Sequence, residues 1–489
     1  MKAKRNRKRF LVYILSLAML PGIFPAAAFS PAPTWGTIPA DLTAHELVAR
    51  MGTGWNLGNT FDVHANPGSR LEGEILDIET LWLGGRANQT TQTLIQTIRR
   101  AGFDTLRIPV TWSKVADPDN GWQIRADWME RVKQVIDWAM EEDMFVILNA
   151  HHENSALDLQ TGDASLSSHA SNVFVSNIWR QIAETFRDYD ERLIFEGLNE
   201  PRHEGGQNEW WGATQEVRDN LNFLNQAFVD AVRATGGNNM HRILLVPPVA
   251  AGATPNGMRD FLVPEDPLNS VNKIIWSIHT YSPFNWAHEG RGGYEGPSEI
   301  IQNLETIKQN AERLGIPVIL GEWGSIGASV GTDPDQDLRD TQRPQHAEDY
   351  VREARNRGMV AIVWDNGGFA GTGHTFGLIR RNHPHEISDL HQAVIDGIML
   401  GAGIDVSQPA TGGDTDSEDN PGAGNGADNR EAPVDEGGAG NEEGSSAGDG
   451  DDTDDGGGLG AWLWVLLIGG GAALVIIFIA VKNKKTLKL

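Results

Sequence analysis

No cysteine occurs among the 489 residues. That excludes disulfide staples and metal–thiolate sites, so packing and hydrogen bonding must hold the fold together. Nucleotide motifs are missing as well. Neither G-x-G-x-x-G nor a phosphate-loop pattern is present, which removes the usual signature of an open nucleotide-binding sheet. Cations are scarce: 40 Lys and Arg stand against 66 Asp and Glu, a formal net charge of −26. Setting aside +6 in the first 28 residues, −15 in residues 403–458 and +4 in the last eight leaves −21 on the middle region. A surface this acidic repels nucleic acid and anionic membrane and suits a neutral partner. Adaptation to salt or to alkaline surroundings would give the same balance, and charge alone does not separate the two.

The ends of the chain differ from its middle. Met1 to Arg9 carries six Lys/Arg, Phe10 to Ile23 is apolar, and Ala26-Ala27-Ala28 supplies small residues for cleavage. That order predicts a secretory signal peptide at 1–28. The alternative of an N-terminal anchor is weakened by the shortness of the run and by Pro21. From 403 to 458, sixteen acidic residues face Arg430 alone, and bulky apolar residues nearly vanish. Such a stretch buries too little surface to offset ordering entropy, so a disordered, self-repelling linker is expected, reaching about 40 Å root-mean-square. Its Asp and Gly lack the D-x-[DN]-x-[DN]-G-x5-E spacing of a calcium loop. Residues 459–481 form an uncharged apolar run opened by Trp462 and Trp464, and Lys482, Lys484, Lys485 and Lys488 follow in the tail 482–489. This predicts a transmembrane helix with a cytoplasmic C-terminus and the large domain outside. A cell-wall sorting tail is the alternative, but Gln408-Pro409-Ala410-Thr411-Gly412 lies far upstream of the apolar run.

Residues 32–402 remain for one folded domain. Eight short apolar runs recur there, beginning at Gly54, Thr105, Met144, Leu193, Arg242, Lys273, Pro317 and Val360. Between most of them lie helix-like segments, such as 90–101, 128–140 and 221–234, and Gly102, Gly315 and Gly358 stand as stops before the next strand. Eight alternating units predict an α/β fold, a closed (β/α)8 TIM barrel, in preference to an open doubly wound sheet.

In such a barrel the site forms where strands end. The residues there are Asn56, Asn59, Arg107, His151, His152, Asn199, Glu200, His279, Tyr281, Glu322 and Trp364. Glu200 in Leu198-Asn199-Glu200-Pro201 and Glu322 in Leu320-Gly321-Glu322-Trp323-Gly324 each follow a buried-looking run, a costly place for charge. One alone reads as a structural ion pair or a helix cap. Two at matching positions point to paired acid/base and nucleophile chemistry on glycosidic bonds. The donor of such a pair needs a raised pKa, and the nucleophile must stay ionised. Arg107 can hold Glu322 anionic, Tyr281 can donate to it, and His279 can reach the sugar or the acid/base. Asn199 suits the sugar 2-hydroxyl, or else a helix cap. His151-His152-Glu153 tempts a metal reading. Adjacent residues at a strand end usually point apart, however, and no third ligand is evident, so no metal is expected. Trp364 offers a flat platform for a pyranose ring, and Trp210, Trp211 and Trp286 sit in loops that can extend the cleft.

These motifs resemble glycoside hydrolase family 5, the retaining β-glycanases of the large (β/α)8 clan. Gly54-Trp55-Asn56-Leu57-Gly58-Asn59-Thr60 looks like the opening motif of its bacterial endoglucanases, and Glu79-Thr80-Leu81-Trp82 like the segment after it. Arg107-Ile108-Pro109-Val110, Asn149-Ala150-His151-His152-Glu153, Asn199-Glu200-Pro201, His279-Thr280-Tyr281, Gly321-Glu322-Trp323-Gly324 and Trp364-Asp365-Asn366-Gly367 follow in the family's order. The resemblance covers residues 40–401. It implies Glu200 as acid/base and Glu322 as nucleophile. It also implies a cleavage subsite lined by Arg107, His151, Asn199, His279, Tyr281 and Trp364, and no cofactor; His152 and Asn56, at strand ends, are expected to support that subsite. The expected protein is an exported, membrane-anchored endo-β-1,4-glucanase acting on β-glucan. It needs no nucleic acid or obligate protein partner, and the lack of a carbohydrate-binding module favours soluble or amorphous glucan. Xyloglucan, mixed-linkage glucan or mannan remain open, with loops 154–169 and 284–297 setting the choice. A non-catalytic surface glycan receptor is the reading from another class.

Overall fold

A computed structural model of the chain describes residues 35–64, 69–327, 336–369 and 374–406. The expected signal peptide, nearly all of the acidic linker, the apolar run 459–481 and the basic tail lie outside the described residues. Among the described residues no helix is long and apolar enough to cross a membrane.

Strands form where the apolar runs were read: β1 (Gly54–Asn56), β2 (Thr105–Ile108), β3 (Phe145–Asn149), β4 (Leu193–Glu196), β5 (Leu244–Val246), β6 (Ile274–His279), β7 (Val318–Trp323) and β8 (Val360–Val363). They close into a barrel in the order β1-β8-β7-β6-β5-β4-β3-β2, parallel throughout. The chain is thus a (β/α)8 barrel and not an open sheet. A helix follows each strand: α1 (Gln92–Arg100), α2 (Ala126–Glu141), α3 (Ala170–Thr185), α4 (Gln215–Arg233), the short α5 (Pro255–Arg259), α6 (Ser298–Leu314), α7 (Gln336–Arg355) and α8 (Asp389–Gly401).

Local chemistry sets the helix limits. The Thr91 hydroxyl caps α1 by accepting from the Leu94 N–H at 3.1 Å. Helix α6 buries Ile300, Leu304, Ile307 and Ala311 on one stripe and stops at Gly315, whose φ of 71° lies in the left-handed region.

Alternation along the strands builds two apolar layers. Outward residues such as Leu106, Val146, Phe195, Trp276 and Leu320 pack under the helices. Inward residues Phe145, Ile147, Ile194, Leu245, Ile275, Ile319, Val360 and Ile362 fill the barrel. A helix at Ala44–Arg50 closes the lower end, packing Ala44, Leu47, Val48 and Met51 against that inner layer. Its start is fixed by a capping box between Thr43 and Glu46, a short-range signal that was present in the sequence.

Toward the C-terminal strand ends the inward positions turn polar: Arg107 on β2, Asn149 on β3, Glu196 on β4, and Ser277 and His279 on β6, all buried. Strand β7 breaks its period there. Ile278 pairs with Leu320, but His279 pairs with Glu322, so one extra residue, Gly321, sits in β7. That insertion turns Glu322 to the barrel mouth.

Candidate active site

Arg107 is the hub of the mouth. Fully buried, its guanidinium donates from Nε to Glu196 at 2.7 Å and from one terminal nitrogen to Asn56 Oδ1 and Glu322 Oε1, both at 2.9 Å. The other terminal nitrogen donates to Asn199 Oδ1 at 2.7 Å. Burial works against this charge, but Glu196 and Glu322 outweigh it and hold the guanidinium protonated. Asn56 is equally buried. Its Nδ2 donates to the Gly321 carbonyl at 2.9 Å, which ties β1 to the inserted residue of β7. Asn199 caps no helix: its backbone N–H donates to Ala150 at 2.9 Å and its side-chain oxygen is taken by Arg107.

Glu200 and Glu322 meet across this hub. One carboxylate oxygen from each, together with a ring nitrogen of His279, lie within 4.8 Å of one another. Glu322 is the penultimate residue of β7. Glu200 lies four residues beyond Glu196, the last residue of β4, in the loop and not at the strand terminus. Arg202 steadies that loop by donating to the Glu200 carbonyl at 3.1 Å. Glu322 receives Arg107 on Oε1 and the Tyr281 hydroxyl on Oε2 at 3.0 Å. His279 Nδ1 stands 2.9 Å from Glu200 and 3.7 Å from Glu322.

The two carboxyl groups shift in directions opposite to those expected from the sequence. Burial raises the Glu200 carboxyl, but the hydrogen bond and charge of His279, then Arg202 and His152, bring it below the ordinary carboxylate value. Glu322 is raised by burial, with His279 and Arg107 pulling against that and Glu200 adding to it. Burial also lowers His279, yet Glu322 and Glu200 outweigh it and hold the imidazole above its usual value. The reason is geometric: His279 bonds to Glu200, so the proton of the pair rests on the ring.

One wall is aromatic. His151 lies parallel to Trp364, centroids 5.7 Å apart and planes at 2°. Trp82 continues the wall edge to face against His64 and His152, which tilt against each other. Gly58 makes room for Trp364, because a Cβ there would sit 2.8 Å from the indole. Across the cleft Tyr281 adjoins His288 and Phe376, and Phe284 and His374 pack on His288. Trp286 does not join the cleft as its loop position suggested. It is buried, packed on Tyr294 and His346, because its loop folds back as a helical turn at Phe284–Ala287. Trp211 is 67% exposed, and Trp210 lies under the Arg202 guanidinium, 4.0 Å from its ring centre.

His151 and His152 do not point apart, since the chain has left β3 at Asn149 and their rings touch at 4.5 Å. Asp62 stands beside them, so three possible metal-ligand atoms lie within 4.8 Å. The Asp62 oxygens accept backbone N–H groups of Asn59 and Thr60, and His151 Nδ1 meets the Asn149 amide, so hydrogen bonds within the chain use Asp62 and one ring nitrogen of His151.

Two contributors were not among the site residues read from the sequence, although Glu153 was weighed there as a metal ligand. Glu196 anchors Arg107 from within the strand and also accepts the Ser277 hydroxyl. Its signal was an acid two residues after Ile194 on the inward face. Glu153 accepts the Trp112 and Ser113 N–H groups at 2.6 and 3.1 Å and pins the loop after β2, and burial pushes its carboxyl up to about 7.

The profile of the cellulase family, glycosyl hydrolase family 5, matches residues 64–370. Endoglucanase A of Clostridium longisporum is 38% identical over 370 residues, which cover 73% of this chain and 66% of that protein. The chain therefore spans just under two thirds of the length of that relative. Among solved structures, a GH5-4 broad specificity endoglucanase from Ruminococcus champanellensis with bound cellotriose superposes with a TM-score of 0.66 at 35% identity, covering 73% of this chain and 99% of that one. A GH5 xyloglucan-specific endo-β-1,4-glucanase from a metagenomic library, in complex with cellotriose, gives a TM-score of 0.63 at 33% identity, covering 73% and 98%.

Proposed function

The chain belongs to glycoside hydrolase family 5, and from that membership we propose that it is an endo-β-1,4-glucanase cleaving internal bonds of β-glucan with retention at the anomeric carbon. The observation that carries retention is the 4.8 Å limit between the carboxylate oxygens of Glu200 and Glu322. Inverting pairs stand about 6.5–9.5 Å apart to seat a water, whereas retaining pairs stand about 5–5.5 Å apart.

In this reading Glu322 attacks the anomeric carbon. Arg107 and Tyr281 each bring a donor to one of its oxygens, which favours the anion that burial opposes. Glu200 protonates the leaving glycosidic oxygen. Its proton comes along the 2.9 Å hydrogen bond from His279, which turns the imidazolium–carboxylate pair into a neutral ring and a neutral acid. The leaving chain departs, and Glu200, now ionised, takes a proton from the water that releases the sugar from Glu322. Arg107 holds Asn199 Oδ1, so the amide N–H is the end free to donate to the 2-hydroxyl. Trp364, steadied by His151 and Gly58, supplies the sugar platform.

Soluble or amorphous glucan is the proposed substrate. The xyloglucan-specific relative keeps a branched glucan as the second reading, and turnover on a panel of both polymers separates them. For the assigned roles, Glu322→Gln should lose turnover while still binding cello-oligosaccharide. Glu200→Ala should lose about 10²–10⁴-fold on glucan yet keep glycosylation of an aryl glycoside whose leaving group needs no proton. Glucan turnover near the parent rate in Glu322→Gln refutes the assignment. Binding without turnover in the parent chain would favour a receptor.

A further inference from the structure

The cleft wall contains an amide whose orientation is fixed by atoms that cannot change roles. The backbone N–H of Val110 lies 3.1 Å from the side chain of Asn149, and a backbone N–H only donates, so the atom facing it is Oδ1. The other end of the amide, Nδ2, therefore faces His151 Nδ1 at 3.1 Å. An amide NH2 also only donates, so Nδ1 must present its lone pair. The ring proton is left on Nε2, which points toward Glu322 Oε1 at 3.9 Å. That separation is long for a hydrogen bond, so the donor is available to a ligand atom beside Glu322. The opposite tautomer would set two N–H groups against each other at Asn149 and turn a lone pair toward a carboxylate.

We propose that Asn149 is a positioning residue that fixes the tautomer of His151 and keeps its Nε2–H as a neutral donor toward Glu322 and the bound sugar. This rests on the reading of Glu322 as the attacking carboxylate. Asn149 is well placed for the task. It is fully buried at the end of β3, and its carbonyl accepts the Trp112 indole N–H at 2.9 Å, so neither backbone nor side chain is free to rotate. The ring it addresses is clamped against Trp364. Several groups face His151: Glu322 from β7, Arg107 from β2, His279 from β6, His152 beside it, and Asp62 and His64 from the loop after β1. Burial, followed by His152, Arg107, His279 and His64, keeps the ring well below its ordinary value and hence neutral. A neutral ring has a single proton to place, and the hydrogen-bond partner decides where.

Asn149→Asp is the direct test, because both of its oxygens accept. One keeps the Val110 N–H, and the other draws the His151 proton to Nδ1. In the parent, 15N resonances of His151 should report a neutral ring protonated on Nε2. In Asn149→Asp they should report Nδ1–H or a doubly protonated ring. The variant's kcat/KM should fall about 10²-fold or more at neutral pH. Its ratio to the parent should climb as pH falls, because a second proton restores Nε2–H, whereas simple structural damage would lower the profile evenly. Should the variant not fold, the parent tautomer alone decides, since Nδ1–H there overturns the proposal. A folded variant with an unchanged tautomer and a pH profile parallel to the parent's overturns it equally. The nitrogen resonances do not depend on glucan turnover, so failure of the glucanase reading would leave them as stated and be told apart.

Discussion

His279 and Glu200 hold one proton between them, and the pH at which they lose it sets when Glu200 can act as the proposed acid. The imidazole is held above its ordinary value, so the pair keeps the proton on the acid side and surrenders it as pH rises through that raised value. In His279→Asn the proton has to rest on Glu200 alone, without a ring to store it. The alkaline limb of kcat/KM should then move to lower pH, measured on a soluble glucan. An alkaline limb that stays in place would contradict the shared-proton account. Both carboxylates were legible in the sequence because a Glu beside an apolar run is costly without a purpose. Glu196 was not, although it stands in such a run itself. Its partner Arg107 is 89 residues away, and nothing local tells a structural acid from a reacting one.

Among the elements, the end of β7 shows where periodicity stops being a guide. Strict alternation from Ile319 would send Glu322 under the helices with Leu320. The extra residue Gly321 reverses this, and a glycine is required because a Cβ there would lie 2.9 Å from His279 Nε2 and 3.2 Å from Cδ2. Gly321→Ala should cost about 1–3 kcal/mol by overpacking. It should also depress kcat more than KM, because the displaced ring is the one bonded to Glu200. Thermal melts and steady-state kinetics on the variant decide, and parent-like values in both would show that the close approach is not needed. The strands and helices α1, α2 and α4 were readable because each buries a continuous apolar stripe, whereas the short α5 buries only Gly257 and Met258 and gave no such signal. The closing helix at Ala44–Arg50 was passed over. It is short, and its purpose of sealing the barrel floor is set by residues distant in sequence, though the Thr43–Glu46 box announced it. Trp286 failed for a related reason: composition places an indole in a loop but not the direction in which the loop folds.

For the whole molecule, the barrel carries a large negative charge and is flanked by segments of different chemistry. The basic-then-apolar leader and the uncharged run at 459–481 support export and tethering at a membrane, with the acidic stretch as spacer. Full-length protein should then sediment with membranes, and a chain ended before Leu459 should be released while keeping its rate on soluble glucan. Full-length protein recovered wholly in the soluble fraction would set the tether aside without touching the chemistry. That chemistry depends on two carboxylates set as close as a retaining pair, with one oxygen of each within 4.8 Å, and the stereochemistry of the first product reports this most directly. Proton NMR on early hydrolysis of a cello-oligosaccharide should show the β-anomer appearing first and the α-anomer only as mutarotation proceeds. Prompt appearance of the α-anomer would mean single displacement by water, and the pairing of Glu200 with Glu322 described above would be wrong.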